Sequence, residues 1–125
     1  MQEDYSVIGT SPVDNLIAGN EVDFNLKGVT ILAGQGILER GSVLGIITAG
    51  GKGKLVAKAS VDGSQAAKFI LADTVDTTSE DVVAQCYQSG QFNREALIFA
   101  ADNTAADHED NLRVYGILLK DNIAY

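Results

Sequence analysis

Glycine spacing is the feature that most constrains the fold of this chain. After Gly28 the sequence breaks into short apolar runs with glycines between them: Val29–Leu32, Ile37–Leu38, Val43–Leu44 and Ile46–Ile47. Runs of this length are too short for an amphipathic helix, and glycines between them are typical of turns. The pattern therefore predicts a mainly β domain built from many short strands.

The rest of the chain adds further strand and turn signals. We predict strands at Lys54–Ala57 and Gln65–Ala72, on either side of an Asp62-Gly63 turn. A strand at Val82–Tyr87 should end in a turn at Ser89-Gly90, and Ala96–Phe99 forms another buried run. Ile117–Lys120 is predicted to be the final strand.

One short helix is predicted near the C-terminus. Thr104-Ala105-Ala106-Asp107 matches a capping box, with Asp in the position usually held by Glu. Ala105, His108, Leu112 and Tyr115 share one helical face, and Gly116 is placed to end the helix. The fold class is therefore mainly β, with one short C-terminal helix.

The N-terminal segment differs in character from the rest of the chain. Residues 1–26 carry five acids and no base, and residues 1–24 show no sustained hydrophobic period. We predict a flexible arm over residues 1–24 and a β-rich domain over residues 25–125. Within the arm, Tyr5, Val7 and Ile8 have the character of a strand that could pair with the sheet edge of a partner.

Charge is unevenly distributed along the chain, which has a formal net charge of −8. Residues 27–72 carry six bases and two acids, whereas residues 73–110 carry one base and nine acids. Segments of opposite sign can complement each other within a fold or between copies, although solvated loops are the simpler explanation. The acidic balance makes nucleic acid an unfavourable partner. No apolar run has the roughly 20 residues needed to span a bilayer.

Residues that commonly carry chemistry are few and poorly placed. His108 lies on the apolar helix face, where a packed or hydrogen-bonded role is expected, and Cys86 has no neighbouring base that would lower the pKa of its thiol. The Gly50-Gly51-Lys52-Gly53-Lys54 segment lacks the Ser or Thr of a phosphate-binding loop and is predicted to be an exposed turn. Four acids, Asp73, Asp76, Glu80 and Asp81, do not have calcium-loop spacing. We predict no catalytic residue, cofactor or metal site.

Several pieces occurring in one order make the chain resemble the lambda-type phage head decoration proteins. They are Asn15–Gly19, Gly41–Gly45 with Ile47-Thr48, Lys54–Ala57, Asp62–Gln65, Ile70–Asp76, Tyr87–Asn93 with Glu95–Leu97, and Leu112-Arg113 with Gly116-Ile117. The resemblance spans about residues 15–120. Each piece is a turn or strand fragment, so the resemblance depends on their order and spacing.

The resemblance implies a β-clip-like fold and a non-enzymatic role. Proteins of this family form trimers on the outer surface of the expanded capsid and stabilise the shell against packaged DNA. It implies a virion protein made in the host cytoplasm, with the major capsid protein as its partner. The implied capsid-binding arm contains Asn15, Leu16, Ile17, Ala18 and Gly19. This arm is longer and more acidic than is usual in the family, so the contacts of Tyr5, Val7 and Ile8 do not follow from the resemblance.

Two other function classes stay open at this point. A tail or adhesin β-module that binds a host surface ligand would need exposed aromatic platforms, and the chain has four Tyr, four Phe and no Trp. A small hydrolase using carboxylates near Glu95 and Asp102 would need those acids to converge in a pocket.

Overall fold

The computed structural model describes residues 16–19, 25–100 and 103–120. Its described strands are β1 (Ile17–Gly19), β2 (Asn25–Ile31), β3 (Ile37–Leu38), β4 (Val43–Ile46), β5 (Gly53–Leu55), β6 (Ala67–Leu71), β7 (Val75–Asp76), β8 (Val82–Asn93) and β9 (Ile117–Lys120). A 3-10 turn follows at Arg94–Ala96, and helix α1 runs over Ala105–Val114. The predicted mainly β class with one short helix is confirmed.

Five strands close on themselves. Their order is β8, β2, β5, β4, β6, and β6 pairs again with β8, so the sheet forms a small barrel. All of these pairings are antiparallel except the short contact between β2 and β5, where Ile31 lies opposite Gly53. Closure leaves few free strand edges, which is how small β domains avoid uncontrolled pairing. Strands β3 and β7 form a separate two-stranded sheet.

Strand β8 is longer than predicted. The prediction of a turn at Ser89-Gly90 is wrong, because the strand continues unbroken from Val82 to Asn93. Gly90 has a φ of 140°, a conformation that glycine adopts without steric cost. The first half of β8 pairs with β2 and β6 in the barrel, and the second half pairs with β1 and, in parallel, with β9. Long-range pairing has therefore overridden the local turn signal.

The strands predicted on either side of Asp62-Gly63 are present, whereas the buried run predicted at Ala96–Phe99 forms no strand. Asp62-Gly63 does turn, with φ of 105° at Gly63, but it does not join a hairpin. The strands before and after it, β5 and β6, pair with opposite edges of β4. The Ala96–Phe99 run contains only a single bridge, between Ile98 and Ser42. In contrast, the turn at Gly50-Gly51 joins β4 and β5 as an antiparallel hairpin, as the sequence predicts.

The core has two parts because some strands are buried on both faces. Inside the barrel lie Val29, Ile31, Leu38, Leu44, Phe69, Leu71, Ala84 and Cys86. The second part lies between the barrel, helix α1 and strands β1 and β9, and contains Leu16, Val43, Val56, Ala67, Ile70, Phe92, Leu97, Leu112, Ile117 and Leu119. The neighbours Val43 and Leu44 thus belong to different cores, which explains why β4 has an unbroken apolar run.

Helix α1 and the strand after it follow the prediction, except that Tyr115, predicted on the apolar face, lies just after the helix and is exposed. The Thr104 amide donates a 2.8 Å hydrogen bond to the Asp107 carboxylate, as a capping box requires. His108 and Leu112 are buried, and Gly116, with φ of 88°, ends the helix. Arg94 donates to the Glu109 carboxylate at 2.7 Å, which ties the helix to the end of β8.

Gly45 is expected to be one of the least replaceable positions in the sheet. A Cβ atom there would collide with the backbone carbonyl of Ser64, whereas a Cβ on Gly28 would meet only Val83 Cγ1 at 3.7 Å. We predict that Gly45→Ala lowers the free energy of unfolding by at least about 2 kcal/mol, because backbone must shift to relieve the collision. Gly28→Ala, the matched strand control, should change it by less than about 0.5 kcal/mol. Urea denaturation measures both, and equal effects would contradict the packing at Ser64.

Candidate binding surfaces

The N-terminal segment enters the domain through a buried anchor. Leu16 is 2% exposed and packs in the outer core. Its carbonyl accepts a 2.8 Å hydrogen bond from the amide of Asn93. Beyond it, Ile17 pairs with Phe92 and Gly19 with Gln91, with a bulge between the two pairs. These contacts add β1 to the edge of β8.

Because Leu16 is buried, a segment that can be removed without disturbing the domain must end before residue 16. Leu16, Ile17, Ala18 and Gly19 were predicted to lie in the arm, but the structure places Ile17–Gly19 in strand β1 and Leu16, just before it, in the outer core. Deleting residues 1–24 would therefore remove a core side chain and a strand. The other predicted arm residues, Tyr5, Val7, Ile8 and Asn15, lie outside the described residues.

Ion pairs within the chain balance part of its uneven charge distribution. Lys52 and Asp81 form an ion pair at 2.6 Å, and Lys58 and Asp107 one at 3.5 Å. Each joins the basic segment 27–72 to the acidic segment 73–110. The Lys52 ammonium lowers the pKa of the Asp81 carboxyl, which also accepts a 2.8 Å hydrogen bond from the Ala33 amide. Asp81 thereby stabilises the loop at Ala33, and Asp107 caps the start of helix α1.

A groove lined by two lysines that form no ion pair with another described residue lies where β2, β6, β8 and the end of helix α1 meet. We call it the lysine groove; it is lined by Asn25, Lys27, Lys68, Phe69, Gln88, Ser89 and Tyr115. The Lys27 and Lys68 ammonium groups lie 5.9 and 5.8 Å from the centre of the Phe69 ring. Lys68 also lies 5.4 Å from the centre of the Tyr115 ring. Sequence analysis missed this surface, because its lysines are 41 residues apart and only the sheet topology brings them together.

His108 is a packed and hydrogen-bonded residue, as predicted. It is 1% exposed, and its ring stacks on Phe99 with 5.5 Å between the ring centres. Its Nε2 lies 2.7 Å from Asn103 Oδ1, an atom that already accepts a 2.8 Å hydrogen bond from the Lys58 amide. Nε2 is therefore the protonated nitrogen of a neutral ring. Nδ1 is buried without a hydrogen-bond partner in the described part of the chain, and burial lowers the pKa of the ring.

Cys86 points into the barrel core. Its side chain is fully buried among apolar residues. Burial raises the pKa of its thiol to about 12. The prediction of a buried structural thiol is confirmed by this packing, since a thiol of this kind has neither the access nor the charge of a nucleophile.

Comparison with known protein families gives a match over most of this architecture. Residues 6–117 match the family described as bacteriophage lambda head decoration protein D. The chain belongs to that family. No match was found among curated proteins. The family resemblance predicted from the sequence is thereby confirmed, and with it a capsid decoration role.

Membership in the head decoration family also bears on the enzyme alternative. The family is a structural one and not a class of enzymes. Glu95 is exposed on the 3-10 turn, and Asp102 lies outside the described residues. Among residues 16–19, 25–100 and 103–120, no three His, Cys, Asp or Glu side chains are grouped so that they could hold a metal ion.

The surface of this decoration protein also bears on the adhesin alternative. Of the Phe and Tyr side chains that the structure describes, only Tyr115 is more than a third exposed, at 45%. One ring does not form the aromatic platform that a sugar-binding module uses.

In the described part of the chain, the helix is too short to cross a membrane.

We predict that the Cys86 thiol is inert in the native decoration protein. With a pKa of about 12, only about one molecule in 10,000 would carry the reactive thiolate at pH 8. An aromatic disulfide reagent at pH 8 should therefore leave the folded protein unmodified and should react with one thiol per chain in denaturant. Rapid reaction of the native protein would contradict the burial of Cys86.

The buried imidazole of His108 predicts a loss of stability in weak acid. Its pKa is lower in the folded state than in the unfolded chain, so the unfolded state binds the extra proton first. The free energy of unfolding should therefore fall as the pH drops below about 6.5. Asp107 opposes the lowering of this pKa, and Lys58 adds to it. Denaturant titrations between about pH 7 and pH 5 measure the slope, and His108→Gln should flatten it. An unchanged slope in the variant would assign the effect to other groups.

Proposed function

We propose that this chain binds as a homotrimer to the outer surface of the expanded capsid and stabilises the shell against packaged DNA. In this proposal the major capsid protein is its partner, the virion exterior is its location, and the host cytoplasm is where it is made. The observation that carries the proposal is the family match over residues 6–117 together with the buried anchor at Leu16.

The buried anchor at Leu16 separates two parts of the chain that have different proposed roles. Residues 1–15, with Tyr5, Val7, Ile8 and Asn15, are proposed to contact the capsid directly. Leu16 and β1 follow that segment directly and are bonded to β8, which has the most pairing partners among the described strands. Ile17, Ala18 and Gly19 are proposed to act through this pairing and through the position it gives to the residues before them.

A trimer would make modest contacts sufficient for firm attachment. Three linked segments convert the second and third binding events into intramolecular ones, whose effective concentrations are commonly millimolar. Strand addition to a partner's sheet supplies main-chain hydrogen bonds for each segment. Attachment would then depend on the geometry of the expanded lattice, because a compact precursor shell spaces its subunits differently.

Deleting residues 1–15 is the sharpest test of this division. We predict that the truncated protein keeps its fold and trimeric mass, because the deletion stops before Leu16, and that its attachment to expanded heads weakens at least about tenfold. Analytical ultracentrifugation measures the mass, and co-sedimentation with heads stripped of decoration protein measures attachment.

Two controls distinguish the effect of residues 1–15 on attachment from the effect of the folded domain. Leu16→Ala in the full-length chain should lower the free energy of unfolding by about 2–5 kcal/mol while keeping residues 1–15 available. Compact precursor shells should bind neither the full-length protein nor the protein that lacks residues 1–15. Equal attachment of the truncated and full-length proteins would contradict the role of residues 1–15, and a monomeric mass would contradict the trimer.

A further inference from the structure

A short ribbon at one end of the barrel exposes two carboxylates that form no ion pair with another described residue. The ribbon consists of β3 and β7, in which Ile37 lies opposite Asp76 and Leu38 lies opposite Val75. Leu38 is buried in the barrel core, whereas Ile37 is 66% exposed and Asp76 is exposed beside it. Glu39, two residues after Ile37, is also exposed. We call the surface formed by Ile37, Glu39 and Asp76 the acidic ribbon.

The lysine groove is the chemical complement of the acidic ribbon. Its two lysines form no ion pair within the described residues, and no Asp or Glu lines the groove. Their ammonium groups lie 5.9 and 5.8 Å from the centre of the same Phe69 ring, so at most about 12 Å separates them. Residues placed as Glu39 and Asp76 on an antiparallel pair lie about 7–8 Å apart, which lysine side chains can match. Both surfaces also carry an exposed apolar group, Ile37 on one and the Tyr115 ring on the other.

The two surfaces cannot meet within one chain, because they lie at opposite ends of the barrel. The groove lies where Ser89 of β8 pairs with Asn25. The acidic ribbon lies beside the start of β8 at Val82, where the Gly34 amide donates a 2.6 Å hydrogen bond to the Thr77 carbonyl. Val82 and Ser89 are seven residues apart on one unbroken strand, which is about 23 Å. Contact between the two surfaces therefore requires two copies of the chain.

We propose that, in the trimer, the acidic ribbon of each copy binds in the lysine groove of the next copy. The two carboxylates of one copy bind the two lysines of its neighbour, and Ile37 packs against the exposed ring of Tyr115. This inference rests on the proposed function, from which it takes the trimer, and it adds which two surfaces meet.

A contact of this kind joins two different surfaces, and such contacts form a ring when the rotation between copies closes. In a ring of three, every acidic ribbon and every lysine groove is covered, so neither surface is left to bind a fourth copy. Copies with a net charge of −8 repel each other at long range. Local charges of opposite sign offset that repulsion and fix the orientation, while the apolar contact removes surface from water.

Reversing the charges tests whether these two surfaces pair. K27E/K68E makes the groove acidic, and E39K/D76K makes the ribbon basic. Each variant should raise the dissociation constant of the trimer at least about tenfold at low salt, because like charges then meet. All four substitutions in one chain should restore the trimer, since both signs are exchanged and the net charge is unchanged. Sedimentation equilibrium measures the constant, and circular dichroism checks that each variant is folded.

A control and a mixture make the test specific. E80K/D110K changes the net charge as E39K/D76K does, but on other exposed acids, and should leave the dissociation constant within about twofold. An equimolar mixture of the two charge-reversed proteins should recover the trimer only in part. Each protein can pair with the other but not with itself, and a ring of three must place two copies of one kind side by side. Full recovery as two-chain complexes would indicate a symmetric dimer and would overturn the ring.

A disulfide across the contact tests its geometry. I37C/Y115C has one new thiol on each surface, and Cys86 is too buried to interfere. Mild oxidation should give covalent dimers and trimers on a denaturing gel and no larger species, whereas I37C alone should stay monomeric on the gel. Oxidation that leaves I37C/Y115C uncross-linked, or that joins the two thiols of one chain, would overturn the proposed contact.

The results distinguish this inference from the proposed function. A trimer that both charge reversals leave unchanged would overturn the inference alone, and so would reversals that the four-substitution chain does not rescue. If K27E/K68E stays trimeric but no longer binds expanded heads, the groove binds the capsid and the inference is wrong. If the trimer responds to both reversals as expected but the unmodified protein does not bind heads, only the proposed attachment fails.

Discussion

The fold depends on the pairing of one long strand, β8. Its first half closes the barrel by pairing with β2 and β6, and its second half holds β1 and β9. Helix α1 packs on the outer core and is tied to the end of the same strand by the ion pair between Arg94 and Glu109. The barrel, the N-terminal anchor and the C-terminal strand are therefore parts of one hydrogen-bonded unit, and Gly90 allows β8 to pass from one set of partners to the other.

The sequence predicted best where the signals are local. Helix α1 was found because a capping box, an apolar face and a terminal glycine all lie within thirteen residues. Prediction failed where distant pairing decides: Ser89-Gly90 has the composition of a turn, yet two neighbouring strands hold it extended. The turn at Asp62-Gly63 and its flanking strands were predicted, but their sequence could not show that β4 lies between those two strands. No local pattern contains that information.

The candidate binding surfaces were predictable to different degrees. The order of the motifs identified the family, since spacing between turns reflects the topology as a whole. The boundary of the arm was not evident, because Leu16 lies in a segment without hydrophobic period and its burial depends on Phe92 and Leu112, which are distant in sequence. The lysine groove was also invisible, because Lys27 and Lys68 have ordinary neighbours and meet only through β2 and β6.

The anchor at Leu16 has a mechanical consequence. A pull on the chain before this residue acts first on a fully packed side chain and on the hydrogen bonds between β1 and β8, rather than on a loose loop. Load applied at the N-terminus is thus passed to the strand that closes the barrel. In the proposed attachment through residues 1–15, strain in the shell would therefore reach the described strand with the most pairing partners.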